Sequence, residues 1–195
     1  MSLRDVLTGR HEVKGPAPDR LFAISTAYVT LESEHQIMPT GTAAIVFQAL
    51  ATSEFEATLR DMEEVVKATG GDSGTSVSTE DDSYGYRWMV LRNPAGAPSV
   101  EDLAVGINAV SGSIETAGHG ERLLCAVFAF SDAQKRRVYF IYNYKRGFWY
   151  PFVPDPSGPQ QRSTERELQI KAQMSSEIPM EPEIERWFPL WGIPI

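Results

Sequence analysis

The feature that most constrains this sequence is the stretch from Glu121 to Phe152, which is dense in apolar, β-branched and aromatic residues. Leu123 to Phe130 is an unbroken apolar run, a polar turn follows it, and Val138 to Tyr144 is a second run. This pattern predicts two paired strands. Gly147 is free to adopt a positive φ, and the aromatic run that resumes after it predicts a third short strand that ends near Pro151. We therefore expect the rest of the chain to cover an aromatic hairpin.

Composition places the chain among globular proteins. Its 195 residues and its hydrophobic fraction of 42% predict a single domain over residues 1–195. No apolar run approaches the ~20 residues of a membrane span, and the N-terminus lacks the apolar segment of a secretory signal. The single cysteine, Cys125, excludes an internal disulfide and a cysteine-based zinc cluster. These features predict a cytoplasmic protein.

Charge is distributed unevenly along the chain. The net charge of −8 argues against nucleic-acid binding, because phosphate binding requires clustered Lys and Arg. Acidic residues concentrate between Glu54 and Asp82, whereas the turns Lys135–Arg137 and Lys145–Arg146 are expected to form an opposite, basic pole. This uneven charge distribution is typical either of a solvated surface or of a surface that orients a charged partner.

The residues before the hairpin alternate between helical and strand patterns. A helical period begins at Asp19, its predicted N-cap, and ends at the breaker Met38–Gly41. A buried strand is predicted over Thr42–Leu50, with a helix as the alternative that its alanines allow. Ser53 with Glu56 forms a capping box that opens a second helix. A hairpin is predicted with strands at 75–79 and 84–91, followed by a helix over 99–117 that Ser99 and Asp102 cap. Gly106 and Gly112 lie inside that helix, where they would let a neighbour approach closely.

The residues after the hairpin predict a linker, a helix and an apolar tail. Thr164 with Glu167 is expected to cap a last helix that runs to about Ser176. The tail, residues 179–195, holds several prolines and the aromatic segment Trp187–Trp191. We expect it to be packed on the domain, because that much aromatic surface in water would favour association. At the other terminus, residues 1–18 are interpreted as a flexible or weakly amphipathic segment.

This element order predicts an α+β fold with a largely antiparallel sheet and helices packed mainly on one face. The arrangement is similar to the small fold of type III secretion chaperones, a likeness of topology that carries no functional argument.

No motif in the sequence brings together the residues that catalysis would require. The histidines His11, His35 and His119 lack the spacing of metal ligands, so we expect no metal and no cofactor. Gly70–Gly74 resembles a phosphate loop in composition only, since no basic residue follows it. Cys125, within an apolar strand, is expected to have a raised pKa and to be inert.

One cluster suggests recognition by aromatic and basic groups. Aromatic rings interleave with Lys145 and Arg146 between Tyr142 and Tyr150. Such a cluster can contact an acidic motif or an anionic surface by stacking and cation–π interactions. The alternative is that the rings fill the core and the two cations occupy a hairpin turn.

Several segments together carry a resemblance to a known family. They are DRLFAISTAYVTLE (19–32), YGYRWMVL (84–91), LLCAVFAF (123–130), YNYKRGFWYPF (142–152), ERELQIKA (165–172) and RWFPLWGIP (186–194). In this order they resemble the PspAB family, which accompanies the phage-shock protein PspA in actinobacteria and some archaea. The resemblance implies an accessory protein of the envelope-stress response, and it implies no catalytic residues.

The leading hypothesis is therefore a non-enzymatic interaction or regulatory protein with a PspA-like partner. The predicted partner-binding residues are Lys145, Arg146, Phe148 and Trp149, with Trp187 and Trp191 as a second aromatic surface if the tail is not buried. An alternative hypothesis is a small-ligand-binding domain or cryptic enzyme with a pocket between the sheet and the 99–117 helix. A third is peripheral contact with an anionic membrane through Met1–Arg10 and the basic turn.

Overall fold

A computed structural model of the chain describes residues 18–69 and 74–195. The strands are β1 (Met38–Gln48), β2 (Ser76–Asp81), β3 (Tyr86–Arg92), β4 (Leu123–Ser131), β5 (Arg137–Asn143) and β6 (Phe148–Phe152). The helices are α1 (Pro18–Leu21), α2 (Ile24–His35), α3 (Ser53–Thr69), α4 (Val100–Thr116) and α5 (Thr164–Met174), with single 3₁₀ turns at Gly120–Arg122 and Ile184–Arg186. The predictions for Met1–Arg10, His11 and Gly70–Gly71 lie outside the described residues.

The six strands form one open antiparallel sheet in the order β2-β3-β1-β4-β5-β6. The α+β fold class is thus confirmed. The aromatic hairpin is confirmed as well, since Phe128 of β4 lies opposite Phe140 of β5, and Tyr142 lies opposite Trp149 of β6. Both faces of this hairpin are buried, which explains its nearly continuous apolar sequence.

The helices cover one face of the sheet, which we call the helical face. Helix α4 packs on β1, β3 and β4, and α2 and α3 flank it. Its side chains Ile107, Val110 and Ile114 have no exposed surface and fill the space against the strands. The prediction of a pocket between the sheet and this helix is therefore wrong, because the interface is close-packed. None of the described helices combines the length and hydropathy needed to cross a bilayer.

The tail covers part of the opposite face, which we call the tail face. Residue 180 first pairs with Trp149 at the outer edge of β6. The chain then crosses the sheet, where Trp187 is buried and Trp191 packs against a second apolar cluster that includes Val127, Ile141 and Phe152. The tail thus protects a strand edge and a sheet face together.

The residues Met38–Gly41, predicted to be a break, belong to the start of β1. Helix α2 instead ends at His35, where Gln36 adopts a left-handed φ of 55°. Pro39 is accommodated in the strand because β3 pairs only with Thr42–Gln48. The proline, which lacks a backbone N–H, thus lies outside the segment that needs bonds on both sides.

Only one of the four predicted helix caps forms as expected. Asp19 lies inside the short helix α1, and α2 begins after Ala23 without a side-chain cap. The Ser99 hydroxyl accepts a hydrogen bond from the Asp102 N–H at 3.1 Å, whereas Thr52 rather than Ser53 accepts a bond at the start of α3. At α5 no side chain caps the helix. The acidic residues of these two signatures, Glu56 and Glu167, are engaged by Arg87 and Arg162 instead. Distant arginines thus outcompete the local backbone N–H groups for these carboxylates.

The two glycines of α4 differ in their surroundings. A Cβ on Gly106 would overlap Leu91 Cδ2 of β3, so the absence of a side chain allows the close approach that the sequence predicts. A Cβ on Gly112 would meet nothing within 4 Å. The prediction of close approach therefore holds at Gly106 and is wrong at Gly112.

Candidate functional site

A groove remains on the tail face where the tail leaves the sheet uncovered. Its volume is about 480 Å³, within the ~300–1,000 Å³ that is typical of ligand sites. A second cavity of about 400 Å³ shares Asp82, Tyr84 and Trp191 with the first and extends to Gln160 and Gly192. The two cavities adjoin at these residues and together form an elongated depression.

The floor of the groove consists of side chains that point to the tail face from four strands. They are Val46 of β1, Trp88 of β3, Cys125 of β4 and Tyr150 of β6. All four are buried in the second apolar cluster. Burial raises the pKa of the Cys125 thiol to about 12, which confirms the sequence prediction of a raised pKa. The floor is therefore apolar and, at neutral pH, uncharged.

The two walls of the groove carry exposed aromatic rings. Tyr84 of the β2–β3 turn and Tyr86 at the start of β3 line one side, and Phe188 lines the other side with Pro189 and Trp191. Tyr84 is 64% exposed and Phe188 59% exposed. Large exposed aromatic side chains that face a common depression are typical of binding surfaces.

Asp82 orients the wall formed by the β2–β3 turn. Its carboxylate accepts hydrogen bonds from the N–H groups of Tyr84 at 2.8 Å and Tyr86 at 2.9 Å. It also accepts one from the Trp88 indole at 2.9 Å. Gly85 completes the turn with a φ of 84°. This carboxylate thus holds the wall in place and is occupied by its own chain.

Two further polar residues line the groove at the end of β5. The Oδ1 atom of Asn143 is buried without a hydrogen-bond partner among the described residues. An unpaired buried acceptor is unfavourable, by about 1–3 kcal/mol. Lys145, two residues on, is exposed and brings a positive charge to the same groove. This end of the groove therefore combines a buried, unpaired acceptor with an exposed cation.

The β5–β6 turn contains the basic and aromatic residues singled out in the sequence. Gly147 takes a φ of 67°, and its carbonyl oxygen accepts a bond from Arg20 at 3.2 Å. Two guanidinium groups lie close to the Phe148 ring, with Arg20 at 5.0 Å and Arg146 at 6.0 Å from its centroid. The turn therefore combines an exposed lysine, Lys145, with an aromatic ring, Phe148, that lies close to two cations.

Arg146 is committed to the tail rather than to solvent. It donates from Nε and Nη2 to the two oxygens of Glu181 and from Nη2 to Glu183. Burial tends to raise the pKa of Glu181, but the bonds from Arg146 and the Glu183 N–H, with the attraction of Arg146 and Arg186, hold that pKa below its usual value. Glu181 is therefore ionised at neutral pH and anchors the turn to the tail.

The predicted tryptophans occupy different environments. Trp149 is fully buried, and its indole donates to the Arg20 backbone oxygen at 2.7 Å. Trp187 is 2% exposed, stacks on Tyr150 and donates to the Glu181 backbone oxygen. Trp191 is half-buried and meets Phe152 edge-on. Of the three, Trp191 alone presents its ring to the groove, whereas Trp149 and Trp187 are packed inside the domain.

The predicted basic pole is divided in the structure. Lys135–Arg137 and Lys145–Arg146 flank opposite ends of β5, a strand of 7 residues, so roughly 23 Å of extended chain separates them. The prediction of a joint pole is therefore wrong. The remaining described histidines do not converge either: His119 packs against the Phe55 ring at 5.2 Å, and His35 lies at the end of α2. Within residues 18–69 and 74–195, no group of acidic, Cys or His residues is arranged to hold a metal ion.

Comparison with known proteins supports the sequence resemblance. A family model described as PspAB, PspA associated protein B, matches residues 1–195, the whole chain. The chain belongs to the PspAB family. Searches of curated proteins and of solved structures give no match. Within this PspAB chain, the groove and the β5–β6 turn form the candidate functional site, and they meet at Lys145.

Sequence reasoning missed most of the groove of this PspAB chain. The sequence places Asp82 at the end of an acidic stretch and Tyr84 and Tyr86 in a predicted strand, and it indicates no site at any of them. The alternation of the strand could have placed Trp88 and Tyr86 on one face. Nothing local indicates that residues 188–191 lie opposite this face, because the tail reaches it from the other end of the sheet.

Proposed function

We propose that this PspAB family member is a non-enzymatic accessory protein that binds PspA and regulates an envelope-stress response on the cytoplasmic side of the membrane. Membership of a family described as PspA-associated supports a protein partner. The proposal assigns the contact to the β5–β6 turn and the adjoining groove, with Lys145, Phe148 and Trp191 at the surface.

The geometry of the β5–β6 turn supports this assignment. Lys145 is exposed at the tip, and Phe148 is partly exposed close to its cations. Arg146 and the buried Trp149 contribute by fixing the turn, through Glu181 and the Arg20 backbone respectively. A turn held in one conformation loses little entropy on binding, which favours recognition of a protein surface.

The polar groups around the site support a binding role rather than a catalytic one. Asp82 and Glu181 are engaged by neighbours of their own chain, which they hold in place. Cys125 has a thiol pKa of about 12 and therefore carries almost no thiolate at neutral pH. General acid–base or nucleophilic chemistry needs groups that are poised to exchange protons near neutral pH.

Binding of purified PspA to the full chain tests the proposal, with Lys145→Glu as the variant and Lys135→Glu as its matched control. Both lysines are exposed in turns, and both substitutions change the charge equally, but only Lys145 lies at the site. We expect Lys145→Glu to weaken the affinity for PspA at least about tenfold, as for a contact near the centre of an interface, and Lys135→Glu to leave it unchanged. Equal affinities of the wild type and both variants would remove the turn from the interface, and no PspA binding by the wild type would refute the proposed function.

Peripheral contact with an anionic membrane is a subordinate proposal that rests on the same lysine. Basic residues near a surface are attracted to anionic lipids in a salt-dependent way. Flotation with phosphatidylserine vesicles at low and high salt measures it. We expect the wild type to float with the vesicles at low salt and Lys145→Glu not to float. If the wild type does not float at low salt, the proposed membrane contact is wrong.

A further inference from the structure

We propose that the groove on the tail face binds an extended peptide segment that carries apolar side chains and an acidic residue. The inference deepens the proposed function, on which it rests for the source of the peptide. It names the occupant of the groove that adjoins the β5–β6 turn at Lys145.

The shape of the groove favours an elongated occupant. The cavities of about 480 and 400 Å³ adjoin at Asp82, Tyr84 and Trp191. A compact small molecule would fill one of them, whereas an extended chain would occupy both in succession. Aromatic-lined grooves of this kind bind extended, proline-containing segments in several classes of recognition domain.

The tail itself illustrates what this face accommodates. Residues 187–190 run across it without helix or strand, and include Pro189. The Tyr150 hydroxyl donates to the Phe188 backbone oxygen at 3.1 Å, and Arg162 donates to the Trp187 backbone oxygen at 2.7 Å. The side chains of this face thus already bind one irregular apolar segment, in part through hydrogen bonds to the backbone oxygens of that segment. The groove continues alongside it.

The polar groups of the groove specify a peptide rather than a fatty chain. Asn143 Oδ1 has no hydrogen-bond partner, and a peptide N–H can supply the donor once the amide turns toward the groove. Lys145 offers a cation to a carboxylate of the occupant. An anionic lipid would share the second contact only.

The test uses four single variants of the full chain. Tyr84→Ala and Phe188→Ala remove rings from the two walls, and the high exposure of these rings predicts little loss of stability. Val29→Ala on α2 and Leu168→Ala on α5 are the controls, because these side chains are similarly exposed, at 55% and 40%, and lie outside the groove. Thermal unfolding verifies that all four fold.

Two binding measurements are made with each variant. One is the affinity for purified PspA, and the other is selection of a phage-displayed library of short random peptides. We expect the wild type to enrich peptides that combine apolar and acidic residues, and both wall variants to weaken peptide and PspA binding about tenfold or more. Val29→Ala and Leu168→Ala should match the wild type.

The outcomes separate this inference from the proposed function. PspA binding that survives both wall variants but not Lys145→Glu leaves the proposed function standing and overturns the groove inference. Peptides that depend on the walls, without any PspA binding, support the groove and refute the proposed partner. If no peptide is enriched, or if dodecanoate binds with the same dependence on the walls and peptides do not, the inference is wrong. A dimer in light scattering that Tyr84→Ala dissociates would assign the groove to a second copy of the chain and would also overturn it.

Discussion

The Nε atom of Arg162 donates to Glu167 Oε2 at 2.8 Å. Glu167 has no exposed surface and also accepts a bond from the Val153 N–H at 2.9 Å. Because Arg162 donates in addition to the Trp187 backbone oxygen, this pair joins helix α5, the end of β6 and the tail. Burial raises the pKa of Glu167 more than the bonds from Arg162 and Val153 lower it.

Arg162→Leu should lower the free energy of unfolding by about 2–4 kcal/mol at neutral pH, because it leaves a buried carboxylate without its cation. The loss should shrink toward about pH 5. Without the cation the folded-state pKa of Glu167 rises further, and the penalty applies only to the charged form, so it is relieved as the pH falls toward the ordinary glutamate value of about 4.3. Urea unfolding at the two pH values measures this, with the exposed Arg60→Leu as the control. A loss that grows as the pH falls would contradict the assignment.

The two glycines of α4 should respond to alanine in opposite directions. Gly112→Ala should stabilise the protein by about 0.5–1 kcal/mol, because alanine is the better helix former and the added methyl group meets open space. Gly106→Ala gains the same propensity, but its methyl group collides with Leu91, and overpacking costs about 1–3 kcal/mol. Chemical unfolding of both variants compares them. Equal stabilisation would show that the Leu91 side chain or α4 shifts at little cost, so that glycine is not required at position 106.

Cys125 should react slowly in the folded protein. With a thiol pKa of about 12, roughly one molecule in ten thousand carries the thiolate at pH 8, and the side chain is only 7% exposed. Ellman's reagent should therefore modify it within minutes in denaturing urea and far more slowly in buffer. Modification in buffer at the rate of a free cysteine would mean that the groove floor opens readily.

Neighbouring tail residues should differ sharply in their effect on stability. Trp187→Ala should cost about 3–5 kcal/mol, since it removes a buried ring that stacks on Tyr150 and lies beneath the Lys171 ammonium group. Phe188→Ala should change stability by no more than about 0.5 kcal/mol, because its ring is 59% exposed. Equilibrium unfolding of the pair is the measurement. Similar losses in both would indicate that the tail does not pack as described.

The parts of the fold that depend on residues close together in the sequence could be predicted from it. The aromatic hairpin follows from its β-rich runs and the glycine between them, and the Ser99 cap lies within one helical turn of its partner. The sequence predicts a break at Pro39, but the tolerance of a proline in β1 depends on where β3 stops pairing, which is a property of the assembled sheet.

The candidate site could be predicted only in part, because its decisive contacts join residues far apart in the chain. The turn at Lys145 is visible in sequence, but the partnership of Arg146 with Glu181 spans 35 positions. The sequence pattern assigns Glu56 and Glu167 to helix caps, because a pattern cannot show that Arg87 and Arg162 approach them in space. The groove is harder still to foresee, because it is the area that the tail does not cover.

The position of the tail has a consequence for biosynthesis. Residues 187–195 leave the ribosome after all six strands, so the sheet can pair while Val127, Ile141 and Phe152 still face water. During that interval the nascent domain exposes a broad apolar surface of the kind that chaperones bind and that drives aggregation. Yield in the cell should therefore depend on how quickly residues 187–195 are synthesised, as well as on the stability of the folded protein.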